Sequence, residues 1–376
     1  MTSPISDVAT ANSATVGAVS EPVRLSQYDY ELPEARIAQE PVSPRDSSRL
    51  LVVPRHSGDL EHRVFRDLPD YLRAGDVLVV NETRVTAARL LGNRESGGAV
   101  EALVLRPAIE RGPDVYEALV RPGKKIQIGD TIRFDEAGLR ATVEDRTESG
   151  GRILRLEAVE DGKEEDVPER LEARGRVPLP PYITAPLGER ERYQTVYART
   201  PGSAAAPTAG LHFTPELLAR IEKMGVQIAR VRLDVGLGTF RPIRVENIAE
   251  HEMHSETFAV SGEAADLVNR CEGRVIAVGT TSLRALETAA QNALPGDRVA
   301  ATAEGKTALF VYPGYQFRAV DALVTNFHQP HSTLLLLVAA FAGGDQMRKA
   351  YQMALGSGYR FLSFGDAMFI SFISNQ

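Results

Sequence analysis

Two rhythms of apolar and polar positions divide the chain. Between residues 86 and 177, short β-rich runs recur at 87–91, 100–105, 116–120, 131–134, 139–143 and 153–156. Gly, Pro, Asp and Glu turns separate them, and no long amphipathic helix interrupts them. That punctuation predicts an antiparallel barrel or sandwich. After about residue 190, apolar strand segments alternate with stretches patterned for helices. Strands are expected over 226–235, 274–278, 322–326 and 361–364, and helices over 264–271, 282–291, 333–342 and 345–354. Thr214, Pro215 and Glu216 supply an N-cap, a first-turn proline and an acidic first turn for one more helix, which Gly225 closes. Strand-like runs at 49–53 and 76–80 precede the β-rich block. Strand–helix alternation of this kind predicts a largely parallel sheet with covering helices. The expected fold class is therefore α/β: a largely parallel-sheet α/β domain from 21–85 and 178–376, with an antiparallel β-barrel domain inserted at 86–177. The proline-rich stretch 177–182 makes a stiff return path between them. Residues 1–20 contain no Lys or Arg and are rich in Ser, Ala, Thr and Val, which predicts a disordered tail.

Composition narrows the class. The 376 residues are 43% hydrophobic and 25% charged, ordinary for a soluble protein with a sizeable core. A single cysteine, Cys271, excludes an intramolecular disulfide framework and fits a reducing compartment. The longest apolar run, 334–342, is too short to span a bilayer, which takes about 20 residues. A cytoplasmic protein with no membrane association is expected, and a monomer. The formal charge of −7 argues against a protein that only coats nucleic acid, because phosphate neutralisation needs basic surface. An enzyme acting on RNA through a local basic patch stays open.

The candidate chemistry lies on loops. Five of the seven histidines, His212, His251, His254, His328 and His331, sit beside turn residues rather than inside apolar runs. Loops held by a rigid scaffold can aim such groups at one spot, which points to an enzyme. His251 and His254, spaced i, i+3 among carboxylates, could join His212 and His328 in a metal site. A metal-dependent hydrolase is one reading, although no HExxH or Cys pair fixes the spacing. The other reading is histidines as proton-transfer groups working near neutral pH. The junction Val278-Gly-Thr-Thr-Ser282 could hold an anion at a helix N-terminus, although simple capping uses the same residues. Val235-Gly-Leu-Gly-Thr-Phe240 lacks the third glycine and the helix of a dinucleotide fingerprint, so its glycines more plainly admit a ligand close to the backbone. Arg121, Lys124 and Lys125 form a tight basic turn in the β-rich block.

These segments, in this order, closely resemble the S-adenosylmethionine:tRNA ribosyltransferase-isomerases of queuosine biosynthesis. The resemblance runs from YDYELP (28–33) through GDVLVVNETRV (75–85), LVRPGKK (119–125), APTAGLHFTPEL (206–217), VGTTSLRALE (278–287) and DALVTNFH (321–328) to YRFLSFGDAMFI (359–370). It covers all but about the first 20 residues, and departs only in a longer tail and in Gln329, where leucine is common. The resemblance implies an α/β domain with an inserted β-barrel. It implies transfer of the ribosyl part of S-adenosylmethionine to 7-aminomethyl-7-deazaguanine at the tRNA wobble position, giving epoxyqueuosine with release of adenine and methionine. S-adenosylmethionine is then a co-substrate, tRNA the partner, and neither a metal nor a permanently bound cofactor is expected. For proton transfer the candidates become His212, His328 and His254, with Asp29 and Glu216 behind them. Gly236, Gly238, Thr239, Thr280, Thr281, Ser282 and Arg284 are candidates for holding S-adenosylmethionine. Arg121, Lys124 and Lys125 are candidates for tRNA phosphates. A non-catalytic RNA-binding protein is disfavoured by the charge and by so many polar loops.

Overall fold

The computed structural model describes residues 23–86, 88–147, 150–159, 165–236 and 242–372. The expected tail, Gly238 and Thr239 lie outside these residues. The first strands are β1 (Arg49–Pro54), β2 (Glu61–Val64), β3 (Val77–Asn81) and β4 (Thr83–Val85). Then come β5 (Ala88–Arg94), β6 (Ala99–Pro107), β7 (Val115–Arg121), β8 (Thr131–Phe134), β9 (Leu139–Arg146) and β10 (Arg152–Ala158). Next in order are α1 (Val167–Arg174), β11 (Thr200–Ser203), α2 (Pro215–Lys223), β12 (Gln227–Leu233), β13 (Glu256–Val260) and α3 (Gly262–Asn269). The chain continues through β14 (Val275–Val278), α4 (Gly279–Ala290), β15 (Thr302–Thr307), β16 (Ala322–Asn326), α5 (Thr333–Ala342), α6 (Gly344–Gly356) and β17 (Ala367–Ser371).

Strands β5 to β10 close into a barrel of order β10-β7-β6-β5-β8-β9, with every pairing antiparallel. Alternate side chains such as Leu90, Ala102, Val104, Phe134 and Leu154 fill it, and Val167 and Leu171 of α1 join that core. The turn residues of the β-rich block thus separate strands of one closed sheet, which leaves no long free edge.

The larger sheet has nine strands in the order β15-β13-β12-β3-β14-β16-β17-β1-β2. Its centre, β12-β3-β14-β16, is parallel. Strand β17 pairs antiparallel with β16 and parallel with β1, and both flanks are antiparallel, so the sheet is mixed. The reversal at β17 follows from two helices lying between it and β16. One helix returns the chain across the sheet and the second carries it back, so β17 sets out from the end where β16 finished.

Both faces are apolar because strand residues alternate sides. Leu51, Val53, Val77 and Val79 meet Leu283, Leu286 and Leu337 from α4 and α5 on one side. Leu50, Val52, Leu78 and Val80 meet Phe65, Leu68, Phe213, Leu217 and Ile221 on the other.

The strand expected at 361–364 is not one. Leu362 adopts φ 69°, and the last strand is β17, every residue of it buried. The Asp366 carboxylate explains the shift. It accepts the N–H groups of Arg49 at 2.9 Å and Arg360 at 2.8 Å, which ties off a turn immediately before β17.

Candidate active site

The carboxyl ends of parallel strands and the loops after them are where open α/β sheets bind ligands. Here Val235 follows β12, Gly279 to Thr281 follow β14, and the segment from Thr325 to Gln329 closes β16. Because β17 and β1 start from the same edge, Leu362 and Ser363 and then Ser48 arrive there too. Leu362 and Ser363, with Tyr182, Pro207, Thr208 and the loops after β12, β14 and β16, line a half-open cleft, with Ser48 behind it.

The local sequence explains the shape of its walls. Gly279 turns the chain from β14 into α4 at φ 86°, a conformation L side chains rarely adopt. A Cβ on Gly210, in the Ala-Gly-Leu-His segment, would fall 2.0 Å from the Tyr197 hydroxyl. That glycine lets the His212 loop close against Tyr197.

His328 is the one candidate proton-transfer residue in the cleft wall. Its main chain is clamped from both sides. The Tyr351 hydroxyl accepts its N–H at 2.9 Å, and the Tyr30 hydroxyl donates to its carbonyl. The ring Nε2 lies 2.8 Å from Thr325 Oγ1, and Nδ1 makes no hydrogen bond among the described residues. Burial pushes the ring's pKa down to about 3, so the imidazole is neutral at physiological pH.

His212 sits next door with different bonding. Its ring stacks on Phe65, centroids 4.9 Å apart. Its Nε2 faces Asn326 Nδ2 at 3.1 Å and its Nδ1 faces Ser48 Oγ at 2.7 Å. The Asn326 amide nitrogen also donates to the Leu362 carbonyl, which can only accept. Nε2 is therefore the acceptor, and Nδ1 carries the proton toward Ser48. Burial, then the charges of Arg360 and Arg45, push its pKa down to about 3. With both nitrogens engaged, His212 orients Asn326, whose Oδ1 lies 3.3 Å from the Thr208 hydroxyl.

The other candidates spread out. Thr280 and Thr281 line the cleft, and the Thr281 hydroxyl is buried without a hydrogen-bond partner among the described residues. Ser282 turns inward, donating to the Val278 carbonyl at 2.8 Å. Arg284 is 4% exposed and lies in an ion pair with Glu256, whose carboxylate also accepts the Gly236 N–H at 2.9 Å. Arg284 and Leu334 line a smaller pocket, and Leu334 belongs to the cleft wall as well. Asp29 meets His331 at 3.1 Å, and neither lines the cleft. Glu216 is exposed in the first turn of α2, where an acid suits the helix dipole. His254 is exposed, and His251 packs edge-on to Phe310 at 5.2 Å, its pKa lowered first by burial. Among the described residues no three His, Cys, Asp or Glu side chains are placed to hold a metal ion, so the histidines do not converge as a hydrolase centre would require.

Arg121, Lys124 and Lys125 project from the turn after β7, all exposed. Beneath them Arg152, 5% exposed, donates to the carbonyls of Gly123 at 2.6 Å and Ile126 at 3.0 Å. With its carbonyls held from below, the turn offers its cations outward. Ser48, Asn326, Thr208 and Tyr182 are site residues that the sequence pattern did not single out.

A family described as queuosine biosynthesis protein matches residues 25–370. The S-adenosylmethionine:tRNA ribosyltransferase-isomerase of Symbiobacterium thermophilum is 56% identical over 352 residues, covering 93% of this chain and 100% of the relative. The protein of the same name from Staphylococcus saprophyticus is 50% identical over 349 residues, covering 92% of this chain and 99% of the relative. The crystal structure of S-adenosylmethionine tRNA ribosyltransferase from Thermotoga maritima is 39% identical. It covers 92% of this chain and 99% of that one, with a TM-score of 0.50.

Proposed function

The chain belongs to the queuosine biosynthesis protein family, and from that premise we propose that the cleft at the carboxyl edge of the sheet is where it works as an S-adenosylmethionine:tRNA ribosyltransferase-isomerase. The enzyme moves the ribosyl part of S-adenosylmethionine to 7-aminomethyl-7-deazaguanine at the tRNA wobble position and rearranges it to epoxyqueuosine. Adenine and methionine leave. The observation that carries the placement is a wall holding both a neutral histidine with a spare nitrogen and a buried threonine hydroxyl that lacks a partner among the described residues.

The sulfonium acidifies the C5′ protons of S-adenosylmethionine, so a weak, neutral base is enough to begin. His328 takes that proton through Nδ1, while Thr325 fixes the ring. Thr280 and Thr281, with the N–H groups opening α4, hold the polar end of the co-substrate, since a helix N-terminus favours a carboxylate. With its amide hydrogens committed to His212 and Leu362, Asn326 offers the remaining lone pair of Oδ1, and Thr208 its hydroxyl oxygen, as acceptors for the sugar hydroxyls. His212 acts through Asn326 as a positioning residue. A cytoplasmic monomer without a permanently bound cofactor suffices for this reading.

Purified protein is expected to consume S-adenosylmethionine only when tRNA carrying the aminomethyl-deazaguanine base is present, with adenine released in equal amount. Chromatography of the small-molecule products tests this. S-adenosylhomocysteine together with a methylated base would overturn the reading.

The basic turn of the barrel is a second contact for the polyanion. Replacing Arg121, Lys124 and Lys125 together with Ala is expected to weaken tRNA binding and flatten its salt dependence, by a slope of about one per lost phosphate contact. Titrations at several salt concentrations measure it. An unchanged slope would make the turn an ordinary solvated one.

A further inference from the structure

A second, smaller pocket opens beside the cleft, with His212 in its wall and about 260 Å³ of space inside it. Ser363 belongs to the walls of both pockets. The hydrogen bond between His212 and Asn326 bridges them from below.

Two guanidinium groups, Arg45 and Arg192, line the small pocket. A third, Arg360, is bonded to its wall, donating to the Phe364 carbonyl at 2.9 Å. All three are half-buried, and all three donate to main-chain carbonyls: Arg45 to Gln194 and Glu191, Arg192 to Val42, and Arg360 to Glu40 and Phe364. Among the described residues none has a carboxylate oxygen at ion-pair distance. The acids nearby are turned elsewhere. Glu191 pairs with Arg84, Asp46 with Arg66, and Asp366 accepts main-chain N–H groups. Positive charge gathers here with little compensation. Burial and then Arg192 lower the pKa of Arg45 against the pull of Glu191, and burial followed by Arg360 and Arg45 lowers that of His212.

We propose that this pocket binds a backbone phosphate of the tRNA, next to the nucleotide whose base enters the cleft. The inference rests on the tRNA-modifying activity above and adds a site to it. An enzyme working on a nucleobase draws that base out of the stack, and its phosphate must then lie within one sugar of the active site. The shared Ser363 wall sets the two pockets at that kind of separation. Guanidinium groups suit the partner, because their planar fork matches a phosphate's paired oxygens. The methionine carboxylate of S-adenosylmethionine is the other anion in the reaction, and the experiment separates the two.

The test uses the full-length enzyme with Arg192→Gln, Arg360→Gln and both together, with tRNA binding followed across a salt series. S-adenosylmethionine binding is measured separately by calorimetry. The double variant is expected to bind tRNA at least tenfold more weakly, with the log–log salt slope shallower by about 0.7–0.9 for the one phosphate lost. S-adenosylmethionine affinity stays as in the wild type. Arg192→Lys keeps the charge and is expected to keep the slope, which separates a lost contact from a damaged loop. A wild-type slope in the double variant would overturn the proposal. So would lost S-adenosylmethionine affinity with tRNA binding intact, which would assign the pocket to the methionine carboxylate. Binding is read without turnover, so wild-type enzyme that binds tRNA yet releases no adenine would refute the activity and leave the phosphate site standing.

Discussion

His328→Ala is expected to lower turnover by about 10²- to 10⁴-fold, the usual contribution of a general acid–base group. Both substrates should be saturating in the assay, so that the loss falls on kcat rather than on KM. The backbone clamps from Tyr30 and Tyr351 hold main-chain atoms and survive the substitution, so the fold should persist, with some stability lost to the space left by the buried ring and to Thr325's missing partner. His328→Gln is the sharper variant. It can keep a hydrogen bond to Thr325 but has no basic ring nitrogen to receive the substrate's proton, so it should be as slow as the alanine. Glutamine at wild-type speed would show that His328 only positions its neighbours, and the search for the base would move to another group.

Arg284→Ala is expected to cost about 3–5 kcal/mol of stability, the range seen when one partner of a buried ion pair is removed. Arg284 and Glu256 are 4% and 5% exposed at their side chains, so water cannot take over the lost interaction. The pair also ties α4 to β13, and through the Gly236 N–H to the end of β12. Replacing both members, Arg284→Met with Glu256→Gln, should recover much of the loss, because neither buried charge then remains. Denaturant midpoints with unchanged m-values measure both. A loss under about 1 kcal/mol, well below that range, combined with weaker S-adenosylmethionine binding, would return Arg284 to the ligand-binding role its motif suggested.

What the sequence revealed and what it hid follow one physical division. The barrel was legible because each strand's apolar alternation and each turn's Gly, Pro or Asp are local signals. Parallel strands such as β3 and β14 were legible as unbroken apolar runs, since both their faces are covered. The edge strands β2 and β15 were not, because Glu-His-Arg-Val and Thr-Ala-Glu-Gly-Lys-Thr meet solvent and show little pattern. The expected strand at 361–364 mistook two buried aromatics around a turn for strand alternation. The site shows the same split. Loops carrying His212, His328 and Thr280 could be picked out by residue type. Their roles could not, because the Ser48 and Asn326 partners of His212 lie 164 and 114 positions away in the chain. Nor could the arginine cluster, since Arg45, Arg192 and Arg360 come from three segments that only the tertiary structure joins.

The hydrogen bond between His212 and Asn326 has a thermodynamic consequence. It has one end in each pocket, so if an occupant of one tilts the ring, the amide in the other shifts with it. Any such coupling is a free energy that linkage makes mutual. Whatever factor tRNA applies to the affinity for S-adenosylmethionine, S-adenosylmethionine applies to the affinity for tRNA. The order in which the two arrive alters the route to the ternary complex and leaves its stability the same.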